Sequence, residues 1–337
     1  MSGVNLINIV PAFRFEIIQA LRLLVSDQDD YAQIVRANQQ VFVERWYDHF
    51  APMRQLIDTA MAPVSYQLCY ALLMADDTLA GMQECLRQLS AQLANGEEIE
   101  FIQRKDEKVW CDGVAALEKV LPVFYEECFK EEWRAWQPVL GKAAARMQQV
   151  LQGLNIFDVV EQFTGRKYGS LLAEIHPSES VRPGGFVLRR AGRMAMVLQY
   201  QNDLIWLLAG VIHESGHTLF RQPYWYEMSS LDDQDVRWLE SLLPGNWRDT
   251  GYSEIRYYLE ETFLEALAFI IAKQILPKQK EQIHQQAIEN FRNRQLVLGP
   301  SIYQLTEDEY DPREFARYDD FLVRLIKERK IEVNLNT

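Results

Sequence analysis

The chain is organised around Val211-Ile-His-Glu-Ser-Gly-His-Thr-Leu219, which continues the uncharged run Leu204-Ile-Trp-Leu-Leu-Ala-Gly-Val-Ile212. The apolar run predicts a buried helix that extends through the histidines. Because side chains four positions apart lie one above the other on a helix, His213 and His217 can aim two imidazole nitrogens at one point. That arrangement is the geometry of two zinc ligands.

Glu214 follows the first histidine and projects to the side of the expected metal position. Its carboxylate can meet a water on the metal from there, but it points away from the natural position of a third ligand. We therefore expect Glu214 to be a general base. A pattern of this length also occurs by accident. Here, however, two of only five histidines in the chain fall at the required spacing inside an apolar helix.

A third ligand is expected from the long helix over residues 254–272, which carries Glu260, Glu261 and Glu265. Glu261 and Glu265 share one helix face, and Glu265 stands among apolar residues, where an unpaired carboxylate is costly. The simplest arrangement gives Glu261 to the zinc, while Glu265 accepts the remaining N–H of a ligating histidine. Glu260 would then face solvent. The reverse assignment, with Glu265 as the ligand, stays open, and so does a structural role for all three glutamates.

These motifs resemble those of the gluzincin metallopeptidases, whose metal helix supplies H-E-x-x-H and whose later helix supplies a glutamate. The run Glu261-Thr-Phe-Leu-Glu-Ala266 is most similar to the E-F-F-A-E-A segment of the anthrax lethal factor type, and it begins 44 positions after His217. The resemblance covers about residues 200 to 272. It implies a zincin-like pair of metal helices and a zinc peptidase activity.

The resemblance also implies a tyrosine, shortly before the ligand glutamate, that helps to stabilise the oxyanion. Tyr252 is the candidate for this role, although it lies nine positions before Glu261, which is not the usual spacing. The asparagine-containing link typical of the group is absent. Tyr257 and Tyr258 compete with Tyr252 for the role.

Composition places the chain among folded globular proteins, with 337 residues, 48% hydrophobic, 25% charged and 12% aromatic. The net charge of −13 argues against a nucleic-acid partner, because neutralising phosphates requires a basic face. Residues 1–10 lack the features of a signal peptide, and no apolar run reaches membrane-spanning length. We therefore expect a cytoplasmic protein with no membrane association. The four cysteines are widely spaced and are expected to be free thiols.

The pattern of apolar residues predicts an α+β fold that is predominantly helical. Helix-period segments run from residue 4 to about residue 153, and one of them spans residues 64–93. A small antiparallel sheet is expected next, from a strand at 168–176 and a hairpin that pairs 186–190 with 194–200. Asn202 or Asp203 would cap the metal helix.

Two domains are expected, packed so closely that they could form one unit. Residues 1–163 would form a helical domain of unknown role, and residues 164–337 a zincin-like metallopeptidase domain. Near the C-terminus, residues 302–312 are expected to be turn-rich and to lead into a last helix over residues 313–330.

The sequence thus predicts a zinc-dependent peptidase that hydrolyses peptide bonds with a metal-activated water and Glu214 as the base. Its partner would be a peptide or protein substrate, and the helical N-terminal half could bind a further protein. One alternative is a non-catalytic zinc protein with a regulatory or sensing role. The presence of Glu214 speaks against it, because a purely structural site has no use for a base. Another is a helical interaction protein whose H-E-x-x-H is accidental.

Overall fold

The computed structural model describes residues 4–25, 37–59, 64–99, 102, 107–179, 184–200, 202–228, 230–245, 247–250 and 254–333. Helices predominate, and one four-stranded sheet accompanies them, which confirms the predicted α+β class. Within these ranges, no helix combines the length and the apolar character that crossing a membrane requires. Cys69, Cys85, Cys111 and Cys128 are free thiols, as predicted.

The helices before the sheet are α1 (Phe13–Val25), α2 (Ala37–Thr59), α3 (Val64–Leu72), α4 (Leu79–Ala94), α5 (Glu107–Phe124), α6 (Lys130–Leu151) and α7 (Ile156–Thr164). A π-helical turn, Tyr125–Phe129, joins α5 to α6. The strands are β1 (Val4–Ile9), β2 (Leu171–Ser178), β3 (Gly185–Arg190) and β4 (Arg193–Gln199). The later helices are α8 (Leu204–Met228), α9 (Asp233–Leu242), α10 (Ile255–Ile275), α11 (Lys280–Asn293), α12 (Gly299–Glu309) and α13 (Tyr318–Lys327).

Contacts divide the chain into two compact units. The C-terminal unit comprises Met1–Ile7, Gln149–Ala173 and Gln201–Thr337, and the N-terminal unit comprises Asn8–Gln148 and Glu174–Tyr200. This division differs from the predicted boundary between residues 163 and 164. In the C-terminal unit α7 packs against α8, α10 and α13, whereas in the N-terminal unit β3 packs against α3. Each unit therefore combines segments that are distant in the chain but packed together.

The sheet has the strand order β1-β2-β4-β3 and is mixed. Strands β3 and β4 pair antiparallel, from Gly185 opposite Leu198 to Arg190 opposite Arg193. Ala191 and Gly192 both have positive φ angles, 48° and 77°, as a two-residue hairpin of type I′ requires. The predicted hairpin is thus confirmed. β1 is a correction, because the sequence predicts helices from residue 4 onward.

The C-terminal unit is built around α10, which packs against α8, α11 and α12. From Tyr258 to Ala272 every side chain except that of Glu261 is buried. A helix surrounded in this way has no solvent face, so polar side chains on it must find partners inside the unit. The stretch 302–312, predicted to be turn-rich, is instead largely the helix α12. Pro300 occupies one of the first positions of this helix, where the missing N–H of proline costs no hydrogen bond.

Candidate metal centre

Helix α8 carries both histidines and is fixed at its start by Asp203. The Asp203 Oδ1 atom accepts hydrogen bonds from the backbone N–H groups of Ile205, at 2.7 Å, and Trp206, at 3.2 Å. A side-chain acceptor at this position satisfies two of the amides that a helix start leaves without partners. Asp203 is therefore the cap, out of the two candidates that the sequence offers.

Gly216, between the histidines on α8, lets this helix approach α10 closely. A Cβ atom on Gly216 would lie 2.6 Å from Cδ2 of Leu264 on α10, which is closer than real Cβ contacts. Because glycine has no side chain, Leu264 can occupy that space. The close approach occurs within one turn of His217 on α8 and of Glu261 on α10.

The structure brings His213, His217 and Glu261 together, and their ligand atoms lie within 4.8 Å of one another. The two Nε2 atoms are 3.2 Å apart. Oε1 of Glu261 lies 3.3 Å from Nε2 of His217, and Oε2 lies 3.6 Å from Nε2 of His213. Such a group could hold a metal ion. Glu261, not Glu265, completes it, since the Glu265 carboxylate lies against Nδ1 of His213.

These distances suit a tetrahedral ion. With metal–ligand bonds of about 2.0–2.1 Å, two ligands of tetrahedral zinc are about 3.3–3.4 Å apart. The separation of the two Nε2 atoms, 3.2 Å, and that of Glu261 Oε1 from Nε2 of His217, 3.3 Å, lie close to that edge length, whereas the 3.6 Å distance to His213 is measured from the other oxygen of Glu261. Two imidazoles and one carboxylate also form the donor set of zinc sites that keep a fourth position open. The residues present are therefore a donor set that zinc could use, and their ligand atoms lie close enough together to surround one ion.

Glu260 contacts the outer nitrogen of His217. Its Oε1 lies 2.7 Å from Nδ1 of His217, and only 4% of the residue is exposed. The prediction that Glu260 faces solvent is therefore wrong, because α10 is surrounded by other helices. Because a carboxylate accepts hydrogen bonds, the Nδ1–H group of His217 donates to Glu260. The other ring nitrogen, Nε2, is then directed at the candidate metal position.

Glu265 approaches the outer nitrogen of His213 less closely. Its Oε1 is 3.6 Å from Nδ1 of His213, beyond hydrogen-bonding distance, and that buried Nδ1 atom has no hydrogen-bond partner among the residues that the structure describes. The other oxygen of Glu265 accepts a hydrogen bond from the Asn290 side-chain amide at 3.0 Å. Glu265 therefore lies beside a candidate ligand histidine, as predicted, but the predicted hydrogen bond between the two is not formed.

Arg294, directly after α11, contacts two of the glutamates. Its Nη2 donates to Oε2 of Glu261 at 2.8 Å, and its Nη1 contacts Oε1 of Glu265. Sequence reasoning missed both Arg294 and Asn290. Their spacing of four positions on one helix face was the available signal, but nothing in the sequence says which helix that face meets.

The electrostatics of the two histidines differ. Burial lowers the pKa of His217, but hydrogen bonds with Glu260 and Glu261 outweigh it and raise this pKa to about 10. Burial lowers the pKa of His213 to about 3, with Glu261 opposing and the charges of His217 and Arg294 adding to the effect. Burial raises the pKa of Glu261, but His217, His213 and Arg294 together hold it well below its ordinary value. Without a metal, His217 therefore carries the positive charge.

Glu214 is buried on α8 beside the first histidine. Its charge adds to the raised pKa of His217. Among the tyrosines, the hydroxyl of Tyr258 donates to the Gln295 carbonyl at 3.2 Å, and Tyr257 is 41% exposed. Tyr252 lies outside the described residues.

Comparison of the chain with protein-family models, with curated proteins and with solved structures finds no match. Its function therefore has to be inferred from the residues of the candidate site.

Proposed function

We propose that the protein is a zinc-dependent peptidase, with His213, His217 and Glu261 as the metal ligands and Glu214 as the general base. One observation carries the proposal: two imidazole nitrogens, 3.2 Å apart, and a carboxylate lie within 4.8 Å of one another, and this is the donor set of catalytic zinc sites. A zinc ion held there would lower the pKa of a water molecule and polarise a carbonyl oxygen. The remaining chemistry belongs to side chains of this chain.

Three protein ligands leave room for a water and a substrate oxygen, which distinguishes catalytic from structural zinc sites. The Glu261 side chain is 20% exposed, so the ligand group borders solvent while both histidines are buried. We expect a substrate carbonyl to approach from the Glu261 side. Glu260 supports the same role by keeping the proton of His217 on Nδ1, away from the metal.

Glu214 would accept a proton from the attacking water and pass it to the leaving amine. Its position on α8, buried and directly after His213, suits this task. A structural zinc site needs no carboxylate at this position. Peptide bonds as the substrate follow from the resemblance of both motifs to the gluzincin metallopeptidases.

The experiment is to compare wild type with Glu214→Gln on a mixed peptide library, after measuring zinc in both proteins. We expect the variant to keep its zinc and to lose about 10²–10⁴-fold in cleavage rate, the usual contribution of a general base. Glu289→Gln, the same change at a solvent-accessible position on α11, serves as the control and should cleave like wild type. Equal cleavage by wild type and Glu214→Gln would rule out the proposed base. A zinc-loaded wild type that cleaves nothing would favour the non-catalytic zinc protein.

A further inference from the structure

The end of α11 has an unusual backbone that fixes the position of Arg294. The Arg294 N–H bonds to the Asn290 carbonyl at 2.9 Å, and the next residue, Gln295, has a φ of +55°. Residues other than glycine seldom adopt that left-handed conformation, because their Cβ atom is crowded there. The Tyr258 hydroxyl on α10 donates to the Gln295 carbonyl at 3.2 Å. The turn after Arg294 is therefore tied to the helix that carries Glu261.

The two carboxylate oxygens of Glu261 have different nearest partners, and one of these partners is the Arg294 guanidinium. Oε2 accepts from Nη2 of Arg294 at 2.8 Å, while Oε1 is 3.3 Å from Nε2 of His217. A carboxylate held by one oxygen cannot rotate freely, so its other oxygen keeps one direction. The direction kept here is toward the paired imidazoles.

The same guanidinium also holds Glu265. Nη1 of Arg294 contacts Oε1 of Glu265, and Asn290, one turn earlier on α11, binds Oε2 at 3.0 Å. These contacts keep the Glu265 carboxylate 3.6 Å from Nδ1 of His213. One cation thus links the carboxylate facing the metal position to the carboxylate beside a ligating histidine.

Charge makes this contact necessary. Glu260, Glu261 and Glu265 all lie on α10 and surround the two histidines of α8. Glu260 and Glu265 are buried, and a buried carboxylate without a compensating charge is costly. Arginine suits the position better than lysine, because its planar fork can bind two carboxylates at once.

We propose that Arg294 is a positioning residue of the metal centre, which aims Glu261 at the metal and holds Glu265 against His213. This inference rests on the proposed function, since it assumes that the histidines and Glu261 bind zinc. Residues that orient metal ligands from outside typically contribute about 10–100-fold to metal affinity. Arg294→Gln should therefore weaken zinc binding by about that factor. Arg294→Lys should weaken it less, because lysine keeps the charge and one of the two contacts.

The test is zinc affinity, measured by competition with a chromophoric chelator, for full-length wild type, Arg294→Gln and Arg294→Lys. Arg324→Gln is the matched control, because the Arg324 side chain is 35% exposed, against 34% for Arg294, and pairs with Glu309 on another helix. Melting temperatures with and without zinc form the second readout. A merely structural arginine would lower both temperatures equally, whereas a positioning residue reduces the increase that zinc produces.

The outcomes separate the two proposals. Weaker zinc binding by Arg294→Gln, partial recovery in Arg294→Lys and no change in Arg324→Gln would support the inference. If wild type binds zinc and both Arg294 variants bind it equally well, the inference is wrong and the metal centre stands. If wild type binds no zinc, both proposals are wrong. Should Arg294→Gln fail to fold, the affinity of Arg294→Lys decides between these outcomes.

Discussion

The Nδ1 atom of His217 lies 2.7 Å from Oε1 of Glu260, and both side chains are buried. The two residues come from different helices, α8 and α10, so the contact ties the helix that carries the two histidines to the helix that carries Glu261. A carboxylate in this position fixes the tautomer and orientation of an imidazole and makes its other nitrogen a better metal ligand. Glu260 therefore contributes to the site without being a ligand.

Glu260→Gln is expected to lower zinc affinity about 10–100-fold, because a neutral amide holds the His217 ring less firmly than a carboxylate does. Chelator competition measures the change. Glu254→Gln, at the exposed start of the same helix, is the control and should bind zinc like wild type. Unchanged affinity in Glu260→Gln would mean that the contact has no influence on the metal.

Gly216→Val is expected to separate α8 from α10, because even a Cβ atom would lie 2.6 Å from Leu264 Cδ2. Overpacking of this kind costs about 1–3 kcal/mol in the free energy of unfolding. Zinc affinity should fall as well, because the ligands come from both helices. Urea unfolding and chelator competition measure the two effects.

The matching double variant tests the cause of that loss. Leu264→Ala removes the atoms that the new side chain in Gly216→Val would meet. The double variant should therefore lose less free energy of unfolding than the two single variants lose in sum. Strict additivity would show that Gly216 and Leu264 do not limit the approach of the helices.

His176 provides a test of the N-terminal unit that is independent of the metal. Its ring is buried, its Nδ1 lies 2.8 Å from the Val10 carbonyl, and burial lowers its pKa to about 4 despite that hydrogen bond. A histidine that stays neutral when folded takes up a proton on unfolding. Its contribution to stability is therefore full above the unfolded pKa near 6.5 and is lost as the pH falls toward about 4.

His176→Asn keeps a side-chain donor but removes the titration, so the variant should lose less stability than wild type between pH 6.5 and 4. Chemical unfolding at a series of pH values measures this, and only the difference between the two proteins matters because carboxylates titrate in both. Parallel curves for wild type and variant would show that His176 is not kept neutral by the fold.

The metal helix and its ligand helix could be predicted because their signals are local. Spacing alone placed His213 and His217 on one face, and apolar neighbours indicated burial. The hairpin was equally local, since Ala191-Gly192 between two β-prone runs favours a tight turn. The predicted segment 64–93 proved to be two helices, and the Asp77 carboxylate in the break between them accepts the N–H groups of Phe13 and Arg14. That contact joins distant parts of the chain, and periodicity cannot reveal it.

The candidate site shows the same limit. Glu261 as ligand followed from the helix face that it shares with Glu265, but Glu260 was assigned to solvent because it lies off that face. The error came from treating α10 as amphipathic, whereas apolar residues on every side of it already indicated a central helix. Arg294 and Asn290 come from a helix whose packing the sequence does not reveal. The identity of the metal, the peptidase activity and the role of Tyr252 stay predictions.

Zinc content, measured on purified protein after dialysis, tests the central claim most directly. Wild type should retain one zinc ion per chain, because two imidazoles and a carboxylate, the donor set of catalytic zinc sites, lie within 4.8 Å of one another. His213→Ala should retain none, whereas His284→Ala, which removes a histidine outside the ligand group, should keep it. Wild type that holds no zinc, or His213→Ala that holds as much as wild type, would contradict the account.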